Sequence, residues 1–115
     1  MRADSSPELW KWYRAYKKRY FSAKRYQCMP DDEHVSVYWH PCHDDYGEIQ
    51  EIEPGEFEIM LNPKFATDTK ISKMCLLHEM VHLYLIADSG YRHHAEPFQA
   101  QMRRLSRLNA FKNLW

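Results

Sequence analysis

The chain has 115 residues, 44% of them apolar and 28% charged, with three Gly and six Pro; this is the composition of one compact domain spanning 1–115 and excludes a disordered, collagen-like or repetitive protein. No run of about 18 apolar residues occurs, because the greasiest stretch, Met74 to Ala87, is interrupted by His78, Glu79 and His82; a membrane-spanning helix is excluded. The formal net charge is zero but uneven: residues 1–26 hold eight basic and two acidic side chains, residues 27–63 ten acidic and no basic, and residues 64–115 eight basic and four acidic.

The amino terminus, Met1 to Glu8, lacks the apolar core of a secretory signal, and the expected location is the cytoplasm. Cys28, Cys42 and Cys75 are odd in number and form no Cys-x-x-Cys pair, so they read as reduced thiols.

Ser5 or Ser6 can cap a first helix, with Pro7 in its first turn and Glu8 completing a Ser-x-x-Glu box. Leu9, Tyr13, Tyr16 and Tyr20 recur at spacings of four, three and four, which predicts a helix to about Phe21. From His34 to Trp39 the pattern alternates, with Val35, Val37 and Trp39 on one side, as in a strand. Ile49 and Ile52 follow a polar connection through Pro41 and Gly47. Pro54-Gly55 supplies a turn, after which Phe57, Ile59 and Leu61 alternate with Glu56, Glu58 and Met60. Two or three antiparallel strands are expected, their outward Glu side chains accounting for most of the acidic block.

Thr67 or Asp68 can cap the next helix. Ile71, Met74, Cys75, His78, Val81, His82 and Leu85 follow one face, while Leu76, Leu77, Met80, Leu83 and Tyr84 make the others apolar too. A helix apolar on nearly all sides is central and buried. Gly90 is placed to end it. After a loop, Pro97 starts an amphipathic helix carrying Phe98, Met102, Leu105 and Leu108. The fold class expected is α+β: an N-terminal helix, a small antiparallel sheet, a central helix and a C-terminal helix.

Within the buried helix stands His78-Glu79-Met80-Val81-His82, a His-Glu-x-x-His pattern. Residues four apart on a helix are separated by about 40° and one turn, so both imidazoles can reach one ion, with Glu79 rotated off the ligand direction and placed to take a proton from water. The bland alternative is a pair of core histidines bonded to buried groups. Two imidazoles and a carboxylate buried in the most apolar helix need strong partners, which a zinc ion supplies. The third ligand must come from elsewhere. Asp88 sits about 9 Å up the axis from His82 and on another face. His94 is within reach of the metal by a chain that turns back, and His93 and Glu96 have the same reach.

Val37-Tyr38-Trp39, Gly47, Ile59-Met60-Leu61-Asn62-Pro63, Leu76 to His82, and His94-x-x-x-Phe98 before a terminal helix, in that order, resemble the SprT-like zinc metallopeptidase family over nearly the whole chain. The resemblance implies that the third ligand is His94, giving a Zn²⁺ site of His78, His82 and His94 with Glu79 as general base. Ala95 stands where that family carries Gly, and no zinc ribbon follows in these 115 residues. It also implies a minimal zincin-like domain acting as a metalloendopeptidase whose partner is a protein substrate, with DNA or DNA-bound protein as a further partner. Zinc would acidify a bound water and polarise the scissile carbonyl while Glu79 carries the proton to the leaving amine. Tyr91, Arg92 and the non-ligand His of the 93/94 pair are the candidate oxyanion donors.

The first helix mixes Trp10, Trp12, Tyr13, Tyr16 and Tyr20 with Lys and Arg, a composition suited to nucleic acid; a solvated basic face over buried rings gives the same pattern. His40-Pro41-Cys42-His43 reads as an ordinary polar loop, and Cys75 as packing on the His78 side. A rival of another class is a DNA- or protein-binding adaptor with a structural zinc, in which Cys75, His93 or Glu96 closes the fourth position.

Overall fold

The structure, a computed structural model, describes residues 5–43, 45–112 and 114. It is an α+β fold in the order α1 (Pro7–Tyr20), β1 (Val35–Trp39), β2 (Gly47–Glu53), β3 (Glu56–Leu61), α2 (Thr69–Ser89) and α3 (Glu96–Arg107), with short 3-10 turns at Lys24–Tyr26, Asp32–His34 and Pro63–Phe65. No helix among the described residues is long and apolar enough to cross a membrane.

Helix α1 buries Leu9, Trp10, Tyr13 and Tyr20, the stripe its periodicity marks, and leaves Tyr16 half-buried. Its start departs from the expected capping box. Ser6 is the N-cap, but no side-chain cap bond forms there; the Ser5 hydroxyl instead accepts from Val37 N–H at 3.0 Å, and Ser6 N–H donates to Val37 O at 2.8 Å. The two serines therefore tie the helix to the edge of β1, so that a sheet partner takes the bond a cap would have made.

The three-stranded sheet has the order β1-β3-β2. β2 and β3 form the expected antiparallel hairpin, turned by Pro54 and by Gly55 at φ 82°, the left-handed conformation that the third position of a type II turn requires. β1, however, pairs with β3 in parallel, Val35 opposite Phe57 and Trp39 opposite Leu61. The expectation of an all-antiparallel sheet is thus corrected to a mixed one. The reason is the 40–46 connection, which crosses the end of the sheet so that the hairpin returns β3 between β1 and β2. Asn62 holds this crossing: its side-chain amide donates to Asp45 O at 2.9 Å and His43 O at 3.3 Å, and its Oδ1 accepts from Lys64 N–H at 3.0 Å. A buried Asn that satisfies three backbone groups fixes a loop as firmly as a ladder would.

Helix α2 packs against α1, α3, β2 and β3, as its all-round apolarity requires. Leu76, Leu77, Met80, Val81 and Leu83 are fully buried. Asp68 caps it by accepting from Ile71 N–H at 3.0 Å, and Gly90 ends it at φ 75°, its N–H bonded to Ile86 O at 2.9 Å. That left-handed C′ residue turns the chain back toward the middle of α2.

Candidate metal centre

His78 and His82 stand one turn apart on α2, and the loop after Gly90 brings His94 to them. The three Nε2 atoms form a small triangle: 3.2 Å between His78 and His82, 2.9 Å between His82 and His94, and 3.4 Å between His94 and His78. Three nitrogens each about 2.0–2.1 Å from a tetrahedral zinc stand about 3.3–3.4 Å apart. The donor set fits a divalent metal in spacing and chemistry. Burial first, and then the neighbouring imidazoles, hold His82 down to about 4 and lower His78; both rings are therefore neutral near pH 7, with lone pairs free for a metal.

Phe98, the first buried residue of α3, supports all three rings. Its centroid lies 4.8 Å from that of His78, 4.6 Å from His82 in a stacked arrangement, and 4.8 Å from His94. The backbone of the returning loop is pinned as well. Ala95 N–H donates to the Tyr91 hydroxyl at 3.0 Å and Gln99 Nε2 to His94 O at 3.1 Å. Ala95 itself has φ −76°, a conformation open to any L-residue, so the loop takes this path without glycine.

Glu79 is 6% exposed and lines the same cavity of about 740 Å³ as the three histidines. Burial, then the charges of Glu48 and Asp45, push it up to about 8. Burial thus favours the protonated carboxyl, while a nearby divalent cation acts in the opposite sense and favours the carboxylate. β2 passes beside Glu79, and Gly47 is where β2 lies tight against its neighbour β3. A Cβ there would lie 2.9 Å from Met60 O, 3.0 Å from Leu61 Cδ2 and 3.7 Å from Glu79 Cγ.

The structure leaves the other sequence candidates apart from this triangle. Asp88 sits beside the Cys28 thiol, which burial and then the Asp88 charge push up. His93 is edge-on to Tyr91, with centroids 5.6 Å apart, and Glu96 is paired with Arg103. Cys75 lines the cavity, its thiol pushed up to about 11 by burial and then by Glu79, so it is a protonated wall residue. No fourth His, Cys, Asp or Glu joins the triangle among the described residues. Cys42 is buried and donates to His40 O at 3.0 Å, and the loop groups no metal donors among the described residues. Of the oxyanion candidates outside the triangle, Arg92 lines the cavity, with its guanidinium 3.0 Å from Glu51 Oε1.

Sequence reasoning counted Phe98 as an apolar helix position and Phe98, Gly47 and Asn62 among the residues of the family resemblance, but missed that Phe98 backs the three rings, that Gly47 lies tight against β3 and that Asn62 binds the backbone of His43 and Asp45. Their signals were faint: an aromatic four residues past a loop histidine, a glycine opening a strand with no turn to serve, and an Asn-Pro pair closing one.

Fold and site together define a class: an α+β domain whose buried His-Glu-x-x-His helix and a returning loop converge three imidazoles on one point beside a buried glutamate. Residues 9–113 match the model of the SprT-like family, and the chain belongs to that family. The comparison found no match among curated proteins and none among solved structures.

Proposed function

We propose that the protein is a zinc-dependent metalloendopeptidase. The observation that carries this reading is the triangle of three Nε2 atoms opening, together with Glu79, onto one cavity. His78, His82 and His94 would hold the zinc, which when bound acidifies water and polarises the scissile carbonyl. Glu79 accepts the proton of the attacking water at its carboxylate and delivers it to the leaving amine. For the charge that develops on the carbonyl oxygen we take Arg92, which lines the same cavity, as the donor. A structural zinc would need a fourth side chain, and Cys75, His93 and Glu96 are engaged elsewhere or ungrouped.

The substrate is a polypeptide, and DNA-associated protein is the class the family reading favours. Contact with DNA in this reading runs through the exposed Lys11, Arg14, Lys18 and Arg19 of α1 to phosphates. Base stacking on α1 has little support, because Trp10, Tyr13 and Tyr20 are buried in the core.

Elemental analysis of the protein purified without added metal tests the site. One zinc per chain in the wild type, lost or much weakened in His78→Ala and His94→Ala, is the expected result. Glu79→Gln should keep zinc and lose proteolysis of an unfolded protein by at least about a hundredfold. Full activity in that variant would refute the mechanism, and salt-insensitive DNA affinity would refute the phosphate contact.

A further inference from the structure

Beyond the three histidines and Glu79, the cavity has a second, chemically distinct part. Ile71, Met74 and Cys75 continue the His78–His82 stripe of α2 toward its N-terminus and line the cavity, each half-buried. Cys75 and Ile71 lie about 4.5 and 10.5 Å along the axis from His78. An extended polypeptide advances about 3.3–3.4 Å per residue, so a chain that runs from the histidines along α2 toward its N-terminus sets the side chain next to the held bond near Met74 and Cys75. Met102, from α3, lines the same cavity. Two methionines and a thiol make an adaptable surface that accepts varied long apolar groups.

The start of β2 brings the opposite chemistry. Glu48, in β2, and Asp45, two residues before the strand begins, line the cavity. The cation that shares this lining, Arg92, already pairs with Glu51 at 3.0 Å, and no cation among the described residues pairs with Asp45 or Glu48. Carboxylates that face a cleft without a counter-charge attract cationic side chains.

We propose that this cleft selects polypeptide segments carrying a long apolar side chain next to the bond held at the histidines and a lysine or arginine within two or three residues of it. The apolar residue packs on Met74, Cys75 and Met102, and the basic one faces Glu48 and Asp45. The proposal rests on the peptidase reading for its substrate class but concerns binding, which is measured separately.

The probes are three labelled nonapeptides: one with a central Leu flanked by Lys, one with Ser in place of Leu, and one with Glu in place of Lys. Fluorescence anisotropy reads their binding to the zinc-loaded Glu79→Gln protein. The Leu-Lys peptide should bind roughly tenfold tighter than the Ser peptide and roughly threefold tighter than the Glu peptide. Glu48→Lys should abolish the charge preference and Met74→Ser should shrink the apolar one. Equal binding of all three peptides overturns the proposal. Preferential binding with no cleavage of any peptide by the wild type supports the cleft preference and defeats the peptidase reading; equal cleavage of all three does the reverse. If Glu79→Gln does not fold, the ratio of kcat/KM values on the wild type gives the same ranking, and a flat ranking overturns the proposal.

Discussion

Phe98 touches all three imidazoles, which makes it the residue on which the triangle most depends after the histidines themselves. It is 3% exposed, so Phe98→Ala should cost about 3–5 kcal/mol of stability in denaturant unfolding. The same change should weaken zinc retention more than Leu105→Ala, a comparable core truncation with no ring contact to the histidines; equal retention in the two variants would show that Phe98 is only core packing. His34 offers a residue-scale test of electrostatics. Its Nδ1 lies 2.5 Å from Glu56 Oε1, and that bond first, with the Glu56, Glu33 and Asp31 charges, raises its pKa. A raised folded value means that the contribution is complete below the unfolded value of about 6.5 and is lost as pH climbs through the folded one. The melting temperature of the wild type should therefore exceed that of His34→Gln most clearly near about pH 6, the gap closing by about pH 9. A gap that widens with pH would contradict the pairing.

At the scale of the element, β2 lies tight against β3, beside Glu79, because position 47 has no side chain. Gly47→Ala places a methyl 2.9 Å from the Met60 carbonyl oxygen, where backbone must yield. Its expected cost is about 1–3 kcal/mol, read by chemical denaturation, together with a loss of the proposed peptidase activity larger than the fraction unfolded explains, since a shift of β2 off β3 also moves the strand beside Glu79. Activity that tracks the folded fraction alone would limit Gly47 to a packing role. Helix α2 is the contrasting case. Its caps at Asp68 and Gly90, its all-round apolarity and its His-Glu-x-x-His spacing are local features, and each could be read directly from residue order.

For the whole molecule, three histidines drawn from two distant parts of the chain would couple metal binding to folding. Only the folded chain holds Nε2 of His94 2.9 Å from that of His82, so zinc that binds the native state alone stabilises it by about 4 kcal/mol when free metal is about a thousandfold above Kd. For a domain of this size the melting temperature should rise by roughly 15 °C or more on zinc addition and fall back with a chelator. A melting temperature indifferent to both would remove the metal from the fold.

What the residue order determined was everything set by short-range periodicity: the three helices and most of their caps, the strand positions, the hairpin turn, and the pairing of His78 with His82 across one helical turn. These follow because a helix or strand fixes the relative direction of nearby side chains whatever surrounds it. Tertiary structure decided what depends on chain segments meeting at long range. Spacing alone allowed His93, His94 or Glu96 as the third donor; the path set by Gly90, Tyr91 and Gln99 brings His94 to the other two. The parallel pairing of β1 with β3 arose because the 40–46 crossing and Asn62 placed the hairpin's return strand in the middle, which alternation of apolar residues does not encode. The upward shift of Glu79 and the close approach of Gly47 to β3 likewise follow from burial and crowding, properties that exist only once β2 lies against β3 and α2.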